Sequence, residues 1–133
     1  MHATDFSAEA LAQLRQTADA AGLGDRVRTG IHDVREPLPL PDASVDAVYA
    51  HMLLCMALST EQIHALVGQV RRVLRPGGSF VCTVRHVGDA HYGTGIAHGD
   101  DIYEHGGFVA RFFSRALVDA LAEGWTGLLV HAL

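Results

Sequence analysis

The sequence has no run of basic residues, and its acids outnumber lysine and arginine by 15 to 10, for a formal net charge of −5. A nucleic-acid backbone needs the opposite sign gathered on one face, so nucleic acid is not an expected partner. No apolar stretch reaches the ~20 residues that a spanning helix requires. The longest, VYAHMLLCMAL (48–58), is interrupted by His51. The N-terminus lacks the charged-then-apolar pattern of a signal peptide. Cysteine is scarce: Cys55 and Cys82 are the only two, and both sit in apolar contexts. They supply no disulfide framework. These absences lead to the expectation of a cytoplasmic chain that does not associate with membranes.

What is present reads as a globular domain. Hydrophobic residues make up 49% of the chain and charged residues 19%, too apolar for disorder. A length of 133 residues suits one core, so residues 1–133 are expected to form a single domain. Residues 2–6 are strand-like and run straight into a helix at 7–21, with Ser7 as N-cap and Gly22 as its stop. Val27, Thr29 and Ile31 alternate in a strand at 26–33, and a proline-rich connection follows at 34–44. Residues 45–54 are almost continuously apolar, the pattern of a strand buried on both faces. Ser59 and Gln62 form a capping-box pattern at the head of a helix at 59–74. RPGG (75–78) reads as a stop and turn before a strand at 79–86. A helix at 114–124 and a strand at 125–133 close the chain. Strands alternating with helices predict an α/β fold, a mostly parallel sheet with helices on its faces.

Three segments, in this order and spacing, resemble the class I S-adenosylmethionine-dependent methyltransferases, in particular the small-molecule branch: ATDFS (3–7), IHDVREPLPLPDASVDAVYAHMLL (31–54) and VRRVLRPGGSFVCTVR (70–85). The resemblance covers essentially the whole chain and implies a Rossmann-like sheet. Residues 2–6 and 26–33 would be the family's second and third strands, 45–54 the fourth, 78–86 the fifth and 125–133 the sixth. The family's first strand, with its glycine-rich loop, and its last strand have no counterpart. The chain thus resembles a truncated domain that begins after its first βα unit. GLGD (22–25) follows a helix, and GTGIAHG (93–99) has no helix directly behind it, so neither has the strand–loop–helix context of the missing loop. The second and fourth strands would each expose a backbone edge, which gives the expectation of a homodimer through those edges.

The resemblance also implies a cofactor, S-adenosylmethionine, and residues to hold it. Asp5 would take the ribose hydroxyls, because a carboxylate offers two acceptor oxygens at fork spacing. Its position alone equally suits an acid at a helix start. Phe6 would lie against adenine or pack in the core. Asp33 would accept from the adenine amino group while the Val34 N–H meets a ring nitrogen; the competing reading of Asp33 is an Asx-turn. Ala50 and His51 would lie beside the methionine part, His51 touching cofactor or acceptor; a lone histidine in an apolar run equally suits a hydrogen-bonded core residue. Asp46 begins its strand, whereas ligands in open α/β sheets gather at the carboxyl ends, so Asp46 is read as structural.

Residues 87–111 are rich in glycine, histidine and tyrosine and show no period. A long segment of this kind is expected to be a loop or lid over a small-molecule methyl acceptor, supplying His91, Tyr92, Tyr103 and His105. A histidine near neutral pKa suits an acceptor that must lose a proton. His86, His91, His98 and His105 are spaced by 5, 7 and 7, which fits no compact zinc pattern, so no metal ligand is assigned. Two functions lead: methyl transfer from S-adenosylmethionine to a small molecule, and a non-catalytic binding or dimerisation module. A nicotinamide-dependent oxidoreductase shares the ribose acid but lacks its fingerprint, and 70–85 fits methyltransferases better.

Overall fold

The computed structural model describes residues 1–131. The chain divides into two compact units, Met1–Pro41 and Asp42–Leu133, each with its own strand pairing.

The first unit is a parallel βαβ arrangement. β1 (His2–Asp5) leads into α1 (Ala8–Ala20), and a 3-10 turn at Gly24–Arg26 precedes β2 (Arg28–Ile31). The Ser7 hydroxyl accepts from the Ala10 N–H at 3.2 Å and caps α1 as its sequence predicts. Gly22, at φ 71°, ends it in the left-handed region open to glycine. GLGD is thus a link between helix and strand. β1 and β2 pair in parallel, from His2 opposite Arg28 to Asp5 opposite Ile31.

The second unit holds a parallel pair, β3 (Val45–His51) and β4 (Leu74–Thr83), joined through α2 (Thr60–Val73). The capping box is formed: Ser59 Oγ accepts from the Gln62 N–H, and Gln62 Oε1 accepts from the Ser59 N–H. Ile63, Leu66, Val67, Val70 and Val73 form the buried stripe of α2, and Leu54 and Phe112 are enclosed with the same completeness as Ile63 and Val73. RPGG does stop the helix, but it does not turn the chain away. Val45 pairs with Leu74 and Ala47 with Ser79, so Arg75–Gly78 bulges out of a continuing strand pair. A Cβ on Gly78 would lie 2.9 Å from the carbonyl oxygens of both Arg75 and Asp46. Gly78→Ala is therefore expected to cost about 1–3 kcal/mol in urea unfolding, because backbone must move to admit a methyl group. An unchanged midpoint would show that the bulge yields freely.

Three other expectations are corrected. β3 is not buried on both faces: Ala50 is enclosed, but Tyr49 is 66% exposed and its β4 neighbour Val81 55%. An apolar face shows what a strand can bury against, and burial requires a covering element. Residues 87–111 are not without secondary structure. They contain β5 (Ile96–Gly99), β6 (Ile102–His105) and β7 (Phe108–Arg111), an antiparallel sheet in the order β5-β6-β7. Finally, residues 125–131 form no strand although their composition is strand-like, and Leu128, Leu129 and Val130 are exposed. Strand propensity takes effect only where an edge offers hydrogen bonds. The remainder of that expected strand, 132–133, lies outside the described residues.

The small sheet is anchored to the parallel pair. Phe113 donates its N–H to Arg85 O at 2.8 Å and accepts from the Val87 N–H at 3.1 Å. Arg111 is buried, and its guanidinium donates to Leu58 O at 3.2 Å and Thr60 Oγ1 at 2.8 Å, tying β7 to the head of α2. α3 (Arg115–Leu121) follows, capped by Ser114. No described helix is long and apolar enough to cross a membrane.

Candidate functional site

In the first unit the two predicted acids emerge at the same end of a parallel pair. Asp5 O accepts from the His32 N–H at 3.0 Å, so the chain runs on beside Asp5 for one more residue before Asp33. Adjacent parallel strands lie about 4.8 Å apart, which puts the loops carrying Asp5 and Asp33 side by side at their carboxyl ends. Asp5 is half-buried. Its Oδ1 accepts from the Ser7 N–H at 2.8 Å, while Oδ2 makes no hydrogen bond among the described residues. The carboxylate is thus fixed by one oxygen and open at the other. Phe6 is 71% exposed, so the alternative of core packing does not hold for its ring.

Asp33 is differently placed. Its Oδ1 accepts from the Arg35 N–H at 2.9 Å, an Asx-turn, and the Arg35 guanidinium also grips both carboxylate oxygens. The side-chain bond from Arg35, reinforced by its backbone N–H, pulls the Asp33 carboxyl down to about 2. A carboxyl titration by NMR should therefore find Asp33 ionised down to about pH 2. In Arg35→Ala the midpoint should climb back toward the ordinary 3.8. A wild-type midpoint already at that value would show the fork to be open in solution. The sign follows from a depressed folded pKa: what the pair contributes to stability is present above the unfolded carboxyl pKa and is lost as pH falls toward the folded one. The neighbouring Val34 N–H has no partner among the described residues. Asp5 Oδ2, the Phe6 ring and the Val34 N–H are thus open to a ligand, whereas both oxygens of Asp33 are engaged by Arg35. The hollow of about 250 Å³ in this unit lies between α1 and β2, includes neither acid, and has no part in this arrangement.

In the second unit His51 ends β3, exposed, with Nδ1 2.8 Å from Thr83 Oγ1 and its ring stacked on Tyr49 at 6.1 Å. Thr83 Oγ1 also accepts from the Met52 N–H at 3.0 Å, and the Tyr49 hydroxyl lies 3.4 Å from the same Nδ1, so Nδ1 is engaged while Nε2 has no partner among the described residues. Ala50 is enclosed, so only its backbone can meet a ligand. Asp46 pairs with Arg75 at 2.8 Å on the exposed surface, in keeping with a structural role.

The residues of the 87–111 segment are partly brought together. His91, Tyr103 and His105 line a recess of about 210 Å³ with Arg85, Thr94, Phe108, Ala110 and Phe112. Tyr92 is not among them. Its hydroxyl donates to Asp101 Oδ1 at 2.8 Å, and that carboxylate pushes its pKa up to about 12. Its ring packs edge-on against Tyr103 and Phe112 at 5.3 and 5.6 Å, so Tyr92 shapes the recess without entering it. His98 is bound to Glu104 at 2.8 Å, on its own. Sequence reasoning missed Thr83, Arg85, Asp89, Phe108 and Phe112. Thr83 becomes visible only through the register that sets it opposite His51. Arg85 and Asp89 pair with a spacing of four residues, which is also common on solvated surfaces.

A family model described as a methyltransferase domain matches residues 1–78. No curated protein matches the chain. Among solved structures, a protein from Pyrococcus horikoshii superposes with a TM-score of 0.73 at 19% identity, over 92% of this chain and 60% of its own. The CcbJ methyltransferase from Streptomyces caelestis gives 0.72 at 21% identity, over 91% and 61%. The [4+2]-cyclase SpnF gives 0.69 at 24% identity, over 90% and 40%. The chain thus spans at most about three-fifths of the length of these structures. Similarity at these identities establishes the Rossmann-like fold.

Proposed function

Because the chain belongs to the methyltransferase domain family, we propose that it serves S-adenosylmethionine-dependent methyl transfer to a small-molecule acceptor. The observation that carries this reading is the carboxyl end of the β1–β2 pair. There Asp5 presents a fixed carboxylate with a free oxygen, next to the exposed ring of Phe6 and the unpartnered N–H of Val34. These are the groups that a ribose diol, an adenine face and a ring nitrogen require. Asp33 would add its second lone pairs to the adenine amino group while remaining bound to Arg35.

For His51 and Ala50 in the second unit, the resemblance implies a place beside the methionine part. His91, Tyr103 and His105 belong to the acceptor side, with Tyr92 supporting them. S-adenosylmethionine would supply the electrophilic methyl group. The chain's residues contribute mainly by holding and orienting the reactants, because an in-line displacement depends chiefly on proximity.

A second reading is favoured by a different observation. β1 and β3 each have a single hydrogen-bonded neighbour among the described strands. An edge of this kind can take up a second copy of the chain, which suits a binding or dimerisation module without catalysis. Calorimetric titration with S-adenosylmethionine and its demethylated product separates the two readings. Micromolar binding supports the first, and absence of heat from a folded sample supports the second.

A further inference from the structure

We propose that the recess beside the small antiparallel sheet is a site for a single-ring phenol, whose hydroxyl donates to Nε2 of His91. This rests on the acceptor-side reading of the same residues and goes beyond it by naming the acceptor's chemical class.

One carboxylate organises the polar end of the recess. Asp89 Oδ1 lies 3.1 Å from His91 Nδ1 and accepts from the His91 backbone N–H at 2.9 Å, while Asp89 Oδ2 accepts from Arg85 Nη1 at 3.3 Å. The bond from the His91 backbone, followed by that from its side chain, holds the Asp89 carboxyl below its ordinary range. In the neutral imidazole an ionised Asp89 keeps the proton on Nδ1 and leaves Nε2 as the acceptor, and Nε2 makes no hydrogen bond among the described residues. His91 and Arg85 hold the two oxygens of one carboxylate, and both line the recess.

The rest of the wall selects the ligand. Tyr103 and Phe108 present aromatic surface, with Phe112 buried in the wall, which favours a ring over an aliphatic chain. The volume of about 210 Å³ is below the range of about 300–1,000 Å³ typical of sites for drug-sized compounds, which sets the scale at one ring. An ammonium would be repelled by Arg85. A carboxylate arrives already ionised and gives a bare nitrogen nothing to accept. A phenol offers that nitrogen a proton donor: its O–H donates to Nε2 of His91, and no bond breaks on binding.

The test measures binding to the full chain by ligand-observed NMR titration in the absence of S-adenosylmethionine, with p-cresol, its methyl ether and p-toluate as probes. The expected result is p-cresol binding about tenfold tighter than the ether, the worth of one hydrogen bond. That ratio should fall to about twofold or less in His91→Ala, and likewise in Asp89→Asn should the first variant fail to fold. His64→Ala, on an exposed part of α2 that does not line the recess, should retain it. Equal affinities for p-cresol and its ether overturn the proposal, as do tighter binding of p-toluate, absence of binding by any probe, or a ratio unchanged in both variants. Because no methyl donor is present, a chain that discriminates p-cresol yet binds no S-adenosylmethionine leaves this site intact and removes only the methyltransferase reading. Binding of S-adenosylmethionine without phenol discrimination does the reverse.

Discussion

Phe112→Ala is expected to lower the unfolding free energy of the second unit by about 3–5 kcal/mol. Phe112 is 2% exposed, and its ring meets Tyr92 and Tyr103 edge-on at 5.6 and 6.1 Å. Truncation removes its transfer free energy and leaves a cavity that the surrounding rings cannot fill, because Tyr92 is held by Asp101. Two edge-to-face contacts, each worth about 0.5–1.5 kcal/mol, are lost with it. Set against a total stability of about 5–15 kcal/mol for a domain of ordinary size, such a loss brings the unit close to unfolding at ambient temperature. Urea unfolding followed by circular dichroism measures it, with Phe112→Leu as the smaller perturbation. A loss under about 1 kcal/mol would show that the site collapses around the missing ring. Phe112 also walls the recess, so the stable Phe112→Leu protein should bind the aromatic probes less tightly than wild type while still favouring p-cresol over its ether.

Asp5→Ala should weaken S-adenosylmethionine binding by about 10- to 100-fold, the cost of removing a hydrogen-bonded charge from a ligand's hydroxyls. The substitution also releases the Ser7 N–H, so the melting temperature must be followed alongside affinity. Ser7 still caps α1 through its own hydroxyl, which limits the structural loss to about 1 kcal/mol. Asp5→Asn keeps one acceptor oxygen and loses the charge, and should fall between wild type and alanine. Asp46→Ala is the control: that acid is exposed, paired with Arg75, and lies at the start of its strand. Equal affinity in wild type and Asp5→Ala would remove the ribose role of Asp5. An effect of Asp46→Ala as large as that of Asp5→Ala would show that overall charge, not position, governs binding.

Local signals in the sequence were read correctly where the determining partners lie within a few residues. Ser7 and Ser59 cap their helices because a hydroxyl one turn away satisfies an orphan N–H, a relation set by sequence spacing alone. The hairpins of the 87–111 segment had a signal that histidine richness obscured. Asp100 and Asp101 take φ of 53° and 57°, and Gly106 and Gly107 take 58° and 81°, the two-residue turns that join antiparallel strands. GDDI and HGGF mark them, but strands of four residues give too short an alternation to be recognised.

By itself the sequence determined the helices and their caps, the parallel βαβ order, the family, and an acid at the end of the first strand. The family came from resemblance to known sequences, and the others depend on periodicity or spacing along the chain. Tertiary structure alone decided which oxygens of Asp5 are free, that Arg35 occupies Asp33, that Thr83 orients His51, and that Asp89 joins Arg85 to His91 beside a ring-lined recess. It also left 125–131 without a strand and one face of β3 uncovered. These outcomes depend on which groups meet through space, and hydrogen-bond satisfaction and burial are properties of the meeting pair.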